Sequence, residues 1–189
     1  MSDALSSPTQ PEIQEPGRLA PPENSQPFLR LYLPEMSVLL PVQQVAEVLN
    51  VASHQIVPLP HLPAWVMGVY NWRGEILWMV DLGHLCGLTP WYQQSNRSSN
   101  HAAAILQVKQ RKPLAYGTKS QTLGLVVNQV GELEWCNPEL IQSVPPTTLS
   151  PELAALLHGY WWQVDGDVLA VLNGEAILEV MPKRYVEAG

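Results

Sequence analysis

The residues best placed for chemistry sit in "GVYNWRGEILWMVDL", Gly68 to Leu82, where Arg73 occupies a tight turn between two apolar stretches. Trp72 precedes it and Asp81 lies at the far end of the run. A guanidinium keeps its proton at ordinary pH, so Arg73 is poorly suited to general acid–base work. It is suited to clamping carbonyls or a carboxylate across the fold, or to recognition, where arginine and tryptophan are favoured anchors. Glu47 in "QQVAEV" and Glu132 in "NQVGEL" are further carboxylates in apolar settings. Each reads either as an element end with its charge in water or as a binding group. Asp81 is expected to satisfy backbone donors in the turn after "WMV".

Reactive chemistry is otherwise sparse. The five histidines, His54, His61, His84, His101 and His158, show no HExxH or comparable metal spacing. His84, Cys86 and Asp81 make only a loose constellation. No phosphate loop, GxGxxG fingerprint or GxSxG elbow is present. Cys86 and Cys136 stand far apart and read as reduced, buried thiols. The sequence therefore calls for no catalytic residue, metal or cofactor. The alternative is a small-molecule-binding or catalytic β-barrel whose site is assembled from distant residues.

The 189 residues carry a net charge of -7, with 46% hydrophobic and 14% charged. That supplies a core for one domain or two small lobes. The acidic balance argues against nucleic-acid binding, which needs a basic surface. No apolar run approaches the roughly 18 residues of a membrane span, so no direct membrane insertion is expected. The chain reads as cytoplasmic. Residues 1–27 contain no aromatic residue and repeated proline, and are expected to form a disordered leader, with folding from Phe28.

From Phe28 the apolar runs are short and broken by Pro, Gly and Asn, which favours strands over long helices. The chain also repeats itself. "LPVQQVAEV" (40–48) aligns with "LVVNQVGEL" (125–133), "PHLPAWVMG" (60–68) with "PELAALLHG" (151–159), and "GEILWMVD" (74–81) with "GDVLAVLN" (166–173). The shared order predicts two similar lobes, roughly 28–90 and 102–180, within one domain over 28–189. "EILWMV" lacks polar alternation, so both its faces should meet protein and the lobes should share a core. Ser150 and Pro151 predict a capped helix start. Most of the tryptophans are expected in the core, with a few at a groove. The stretch 109–119, rich in Lys and Arg, reads as a solvated hairpin loop or as a basic patch for an acidic partner.

These landmarks together resemble the CheW family of chemotaxis coupling proteins. The resemblance runs from about Phe28 to Val180 and rests on the proline-flanked turn, Gly68, the Asn71-x-Arg73-Gly74 turn and the Val80-Asp81-Leu82 ending. It implies a mostly β fold of two SH3-like, five-stranded β-barrel lobes around a shared hydrophobic core. Strands exchanged between the lobes would blur the halves. It implies a non-catalytic signalling adaptor joining the cytoplasmic tip of methyl-accepting chemotaxis receptors to the regulatory domain of a CheA-type histidine kinase. It places Val45, Glu47, Gly68 and Arg73 at the receptor surface, with Asn71, Gly74 and Asp81 as structural motif residues. Trp72 stands where the family usually has an aliphatic residue. Asn173-Gly174 stands where the second lobe often has Asp-Leu. The proline-rich leader is unusual, and suggests an array serving phototaxis or pilus-driven motility.

Overall fold

The computed structural model describes residues 22–95, 98–109, 120–143, 150–163 and 166–181. The basic stretch 110–119 and most of the leader lie outside them. In chain order the strands are β1 (Gln26–Tyr32), β2 (Ser37–Pro41), β3 (Val45–Ala52), β4 (Val66–Trp72) and β5 (Glu75–Asp81). Then follow β6 (Asn100–Lys109), β7 (Ser120–Val127), β8 (Gln129–Cys136), β9 (Leu157–Trp162) and β10 (Val168–Leu172). Three short helices are α1 (Leu82–Leu85), α2 (Pro151–Leu156) and α3 (Gly174–Glu179).

The strands make two five-stranded sheets, ordered β3-β6-β7-β5-β4 and β8-β1-β2-β10-β9. The mostly β, two-lobed fold is as expected from the sequence, but the lobes do not divide at 28–90 and 102–180. Each half of the sequence gives its first two strands to one sheet and its last three to the other. The repeated "LPVQQVAEV" and "LVVNQVGEL" are the two crossing points: β2 passes into β3, and β7 into β8. The repeat is therefore real, but each barrel takes strands from both copies. Equivalent parallel pairs, β5 with β7 and β10 with β2, join the copies inside each sheet.

Side-chain alternation explains why the exchange is stable. Successive residues of a strand point to opposite faces. On β6, Ala103 and Ile105 fill one barrel, while Ala104, Leu106 and Val108 face the core between barrels. On β10, Leu169 and Val171 fill the other barrel, while Ala170 and Leu172 face the shared core. β5 does the same with Leu77 and Met79 against Val80, so the later part of "EILWMV" is covered on both sides as expected, whereas Glu75 and Ile76 at its start are exposed. The fully buried set is almost entirely aliphatic. Four of the seven tryptophans, Trp65, Trp72, Trp78 and Trp161, pack against the core clusters as partly buried side chains, as expected for most of them, while Trp135 and Trp162 are exposed. Layers between closely spaced strands favour branched aliphatic side chains, and the indoles pack around their rims. Cys86 and Cys136 are free and buried, and burial pushes both thiols up to about 12.

The helix starts are capped from the sequence side. Ser150 Oγ accepts from Leu153 N at 3.2 Å, with Pro151 at the first helical position. Asp81 is buried and spends both oxygens on backbone donors, His84 N at 3.1 Å and Trp91 N at 2.8 Å. Its repeat mate Asn173 caps α3 through Glu175 N and Ala176 N. Beside Asp81, the buried His101 ring nitrogen Nε2 lies 2.9 Å from Ser53 Oγ, and Trp91 packs edge-on against the ring.

Leu106→Ala should remove volume from the shared core and cost about 2–5 kcal/mol. Urea unfolding followed by tryptophan fluorescence and by far-UV circular dichroism should still give coincident single transitions, because both barrels lean on that layer. Stability should also fall with acid through His101. Its pKa is lowered from 6.5, mainly by burial, against an opposing pull from Asp81. The unfolded chain then holds more protons in the window below 6.5, so His101 contributes full stability above that value and loses it as pH falls toward the lower folded value. Melting temperatures of the parent should drop across that window, and His101→Gln should flatten the drop.

Candidate functional site

β4 and β5 form a hairpin in which Trp72 faces Glu75 across a two-residue loop, Arg73-Gly74. Both loop residues have positive φ, 54° for Arg73 and 84° for Gly74. A tight two-residue turn of this kind matches the twist of the strands, and glycine accepts the conformation without strain. Arginine does so less readily, and three contacts hold it there. Asn71 Oδ1 accepts from Gly74 N at 3.0 Å and fixes the turn. The Arg73 guanidinium lies 5.2 Å over the Trp72 ring. Its Nη2 donates to Glu47 Oε2 at 2.8 Å.

Glu47 lies on β3, at the opposite edge of the same sheet from β4. The same Oε2 also accepts from Trp72 Nε1 at 3.1 Å. One carboxylate thus ties the hairpin tip to the other sheet edge and closes the seam of the barrel. The ion pair remains open to solvent: the Arg73 side chain is 70% exposed and that of Glu47 31%. Across the hairpin, Ile76 is 76% exposed one register step from the turn. The other barrel has a counterpart built from different positions, with Glu134 on β8 accepting from Arg30 Nη1 at 3.3 Å and Gln163 Nε2 at 3.4 Å. Glu132, the sequence mate of Glu47, is exposed and takes no part.

Of the four residues expected at the receptor surface, Glu47 and Arg73 are brought together. Val45 is half-buried, packs on the shared core and pairs with Leu106, one bulge residue away from Glu47. Gly68 is buried in the chain alone. Its φ is 146°, and an added Cβ would collide with the Val57 carbonyl oxygen and lie 2.9 Å from Pro58 Cα. The Val57–Val69 bridge that it admits is repeated in the other barrel, where Gly159 lies under the Gln142–Tyr160 bridge. Asn71, Gly74 and Asp81 have structural roles, as described above. Sequence reading missed Trp72 as a donor to Glu47, although its departure from the aliphatic pattern marked the position.

Among the described residues no group of three or more His, Cys, Asp or Glu could hold a metal, and no helix is long and apolar enough to cross a membrane. An open cleft of about 590 Å³ lies between α1 and α2, and none of its lining residues belongs to the Arg73 turn.

Comparison with known proteins agrees with this architecture. A probable chemotaxis protein CheW of Rhizobium etli is 29% identical over 87 residues, 46% of this chain and 47% of that protein. A chemotaxis protein CheW of Rhizobium meliloti is 31% identical over 88 residues, 47% of this chain and 48% of that protein. The matched stretches thus span about half the length of these curated relatives. The crystal structure of the scaffolding protein TtCheW from Thermoanaerobacter tengcongensis superposes with a TM-score of 0.61 at 23% identity. That match covers 79% of this chain and 89% of the other, and shows a common fold. The CheW-like domain model matches residues 27–181, nearly the whole of the described structure, and the chain belongs to that family.

Proposed function

We propose that the chain is a non-catalytic adaptor that couples the cytoplasmic tips of methyl-accepting receptors to the regulatory domain of a CheA-type histidine kinase. It would act in the cytoplasm, through one domain over residues 28–189 that also takes in Gln26 and Pro27, which pair with Cys136 and Trp135 on β8 and so correct the expected end of the leader at residue 27. The observation that carries this reading is the exposed Glu47–Arg73 pair on a rigid hairpin of a CheW-like fold. A fixed cation and a carboxylate, pre-positioned beside the exposed Ile76, suit recognition of a protein surface. The kinase regulatory domain is expected to pack barrel against barrel, as the family resemblance implies. The stimulus, whether chemical, light or a surface met by pili, lies with the receptor.

The test is a thermal melt beside binding titrations against a receptor-tip fragment and the kinase regulatory domain. An exposed ion pair contributes about 0–1 kcal/mol to folding. Glu47→Arg should therefore melt close to the parent, while receptor affinity falls about thirtyfold or more, as for a lost interfacial charge contact of about 2–5 kcal/mol. The double swap Glu47→Arg/Arg73→Glu should also melt close to the parent, without regaining the affinity. Full affinity of Glu47→Arg for both partners would sink the assignment. Gly68→Ala should show the opposite pattern, losing about 1–3 kcal/mol of stability through overpacking against Val57. Its remaining folded fraction should bind normally.

A further inference from the structure

Trp72 ends β4 opposite Glu75, and its side chain packs against the apolar cluster that includes Leu77, Met79 and Ile105. From that base its Nε1 donates to Glu47 Oε2 at 3.1 Å. Arg73 Nη2 reaches the same oxygen at 2.8 Å, but from a side chain that is 70% exposed. The two donors therefore differ in kind. An indole held by packing has little freedom left to lose, whereas an exposed arginine keeps most of its rotamers.

Glu47 stands just past a bulge in β3, in register with Ile105. Among the described residues no hydrogen bond reaches its second oxygen, Oε1. Its side chain is 31% exposed, so a donor on another protein can approach that oxygen. The guanidinium likewise has donors beyond Nη2 and can turn toward a carboxylate on a partner. A Glu47 held by Arg73 alone would then be released into its own rotamers, and ordering it again would weaken binding. The Trp72 bond prevents that release. A leucine at this position would supply neither the N–H nor the ring that lies 5.2 Å beneath the guanidinium.

We propose that Trp72 is the positioning residue of this surface, holding Glu47 through its indole N–H while Arg73 turns to a partner. The surface then takes a partner segment in which a carboxylate, for Arg73, stands beside a cationic donor, for Glu47 Oε1. A purely acidic segment would meet the fixed charge of Glu47 and be disfavoured. This role rests on the reading of Glu47 and Arg73 as a receptor surface.

Two measurements on the full chain test it. In isotope-labelled protein without a partner, the Trp72 indole proton is the NMR signal missing from Trp72→Phe. Its exchange with water should stay within about twofold of the parent in Arg73→Gln and speed up about tenfold in Glu47→Ala. Equal acceleration in both variants would overturn the role, because Glu47 would then depend on Arg73 for its place. A receptor-tip fragment is then titrated at a temperature where every variant is folded. Trp72→Phe keeps an aromatic face under Arg73 and lacks the donor, so affinity should fall about fivefold, as for one lost hydrogen bond. In a Glu47→Ala background the same substitution should change affinity by less than about twofold. A loss of about fivefold in both backgrounds would overturn the role and leave the receptor reading intact, since the indole would then touch the partner directly. Unchanged affinity in Glu47→Ala alone would remove the receptor reading, and this use of Trp72 with it.

Discussion

The fold depends on strands that are buried on both faces. Ile105 and Leu106 are neighbours on β6, both fully buried, yet one fills a barrel and the other the layer between barrels. Such strands cannot use polar alternation to choose a register, because a one-residue slip still buries apolar side chains. Volume has to choose instead. Gly124 on β7 stands opposite Met79 on β5, where an added Cβ would collide with the Met79 sulfur. The bulges at Val66/Gly68 and Val171/Leu172 fix the register of the equivalent hairpins in the two barrels.

Exchange of strands follows from the same constraint. A barrel made from one half of the sequence would meet the other half only at a surface, whereas here the connection itself crosses the shared core twice. The duplicated copies keep their local devices in register. Asp81 and Asn173 each cap a helix, and each donates its own N–H to a carbonyl at matching positions, Trp65 and Leu156. The departure from Asp at Asn173 therefore changes the charge of the cap and leaves its geometry intact. The seams diverged more. Glu47 and Glu134 both tie sheet edges but occupy different positions in the repeat, so closing a barrel mouth requires an acceptor near the hairpin tip and not one particular residue.

Much of this was legible in the sequence because it is written in local terms. The turn at Asn71–Gly74, the caps at Ser150 and Asp81, the two-faced strand "EILWMV" and the internal repeat all depend on residue types at short spacing. The partition of repeats into barrels was not legible, because "LPVQQVAEV" says that a strand ends and another begins, not in which sheet. Gly68 was placed at the receptor surface by the family resemblance alone; its burial comes from Val57, which reaches it only through a bridge formed in the folded chain. The tryptophans were placed in outline only: four pack on core clusters, but at their margins. Hydrophobicity alone puts them inside, but layers filled by residues such as Leu39, Leu125 and Val171 leave indoles to the rims.

The Arg73 turn combines a fixed geometry with an exchangeable ion pair. Its geometry is set by short-range forces: the Asn71 hydrogen bond, the stack on Trp72 and glycine at the second loop position. The Glu47 contact adds a charge-assisted bond that is largely open to water and so contributes little to folding. A side chain positioned by its own turn, yet weakly committed to its ion-pair partner, can exchange that partner for a carboxylate on another protein without disturbing the barrel beneath. The dry core supplies rigidity and the wet ion pair supplies exchangeability. Because the two share no buried charge, a change in the ion pair leaves the apolar layers beneath it intact.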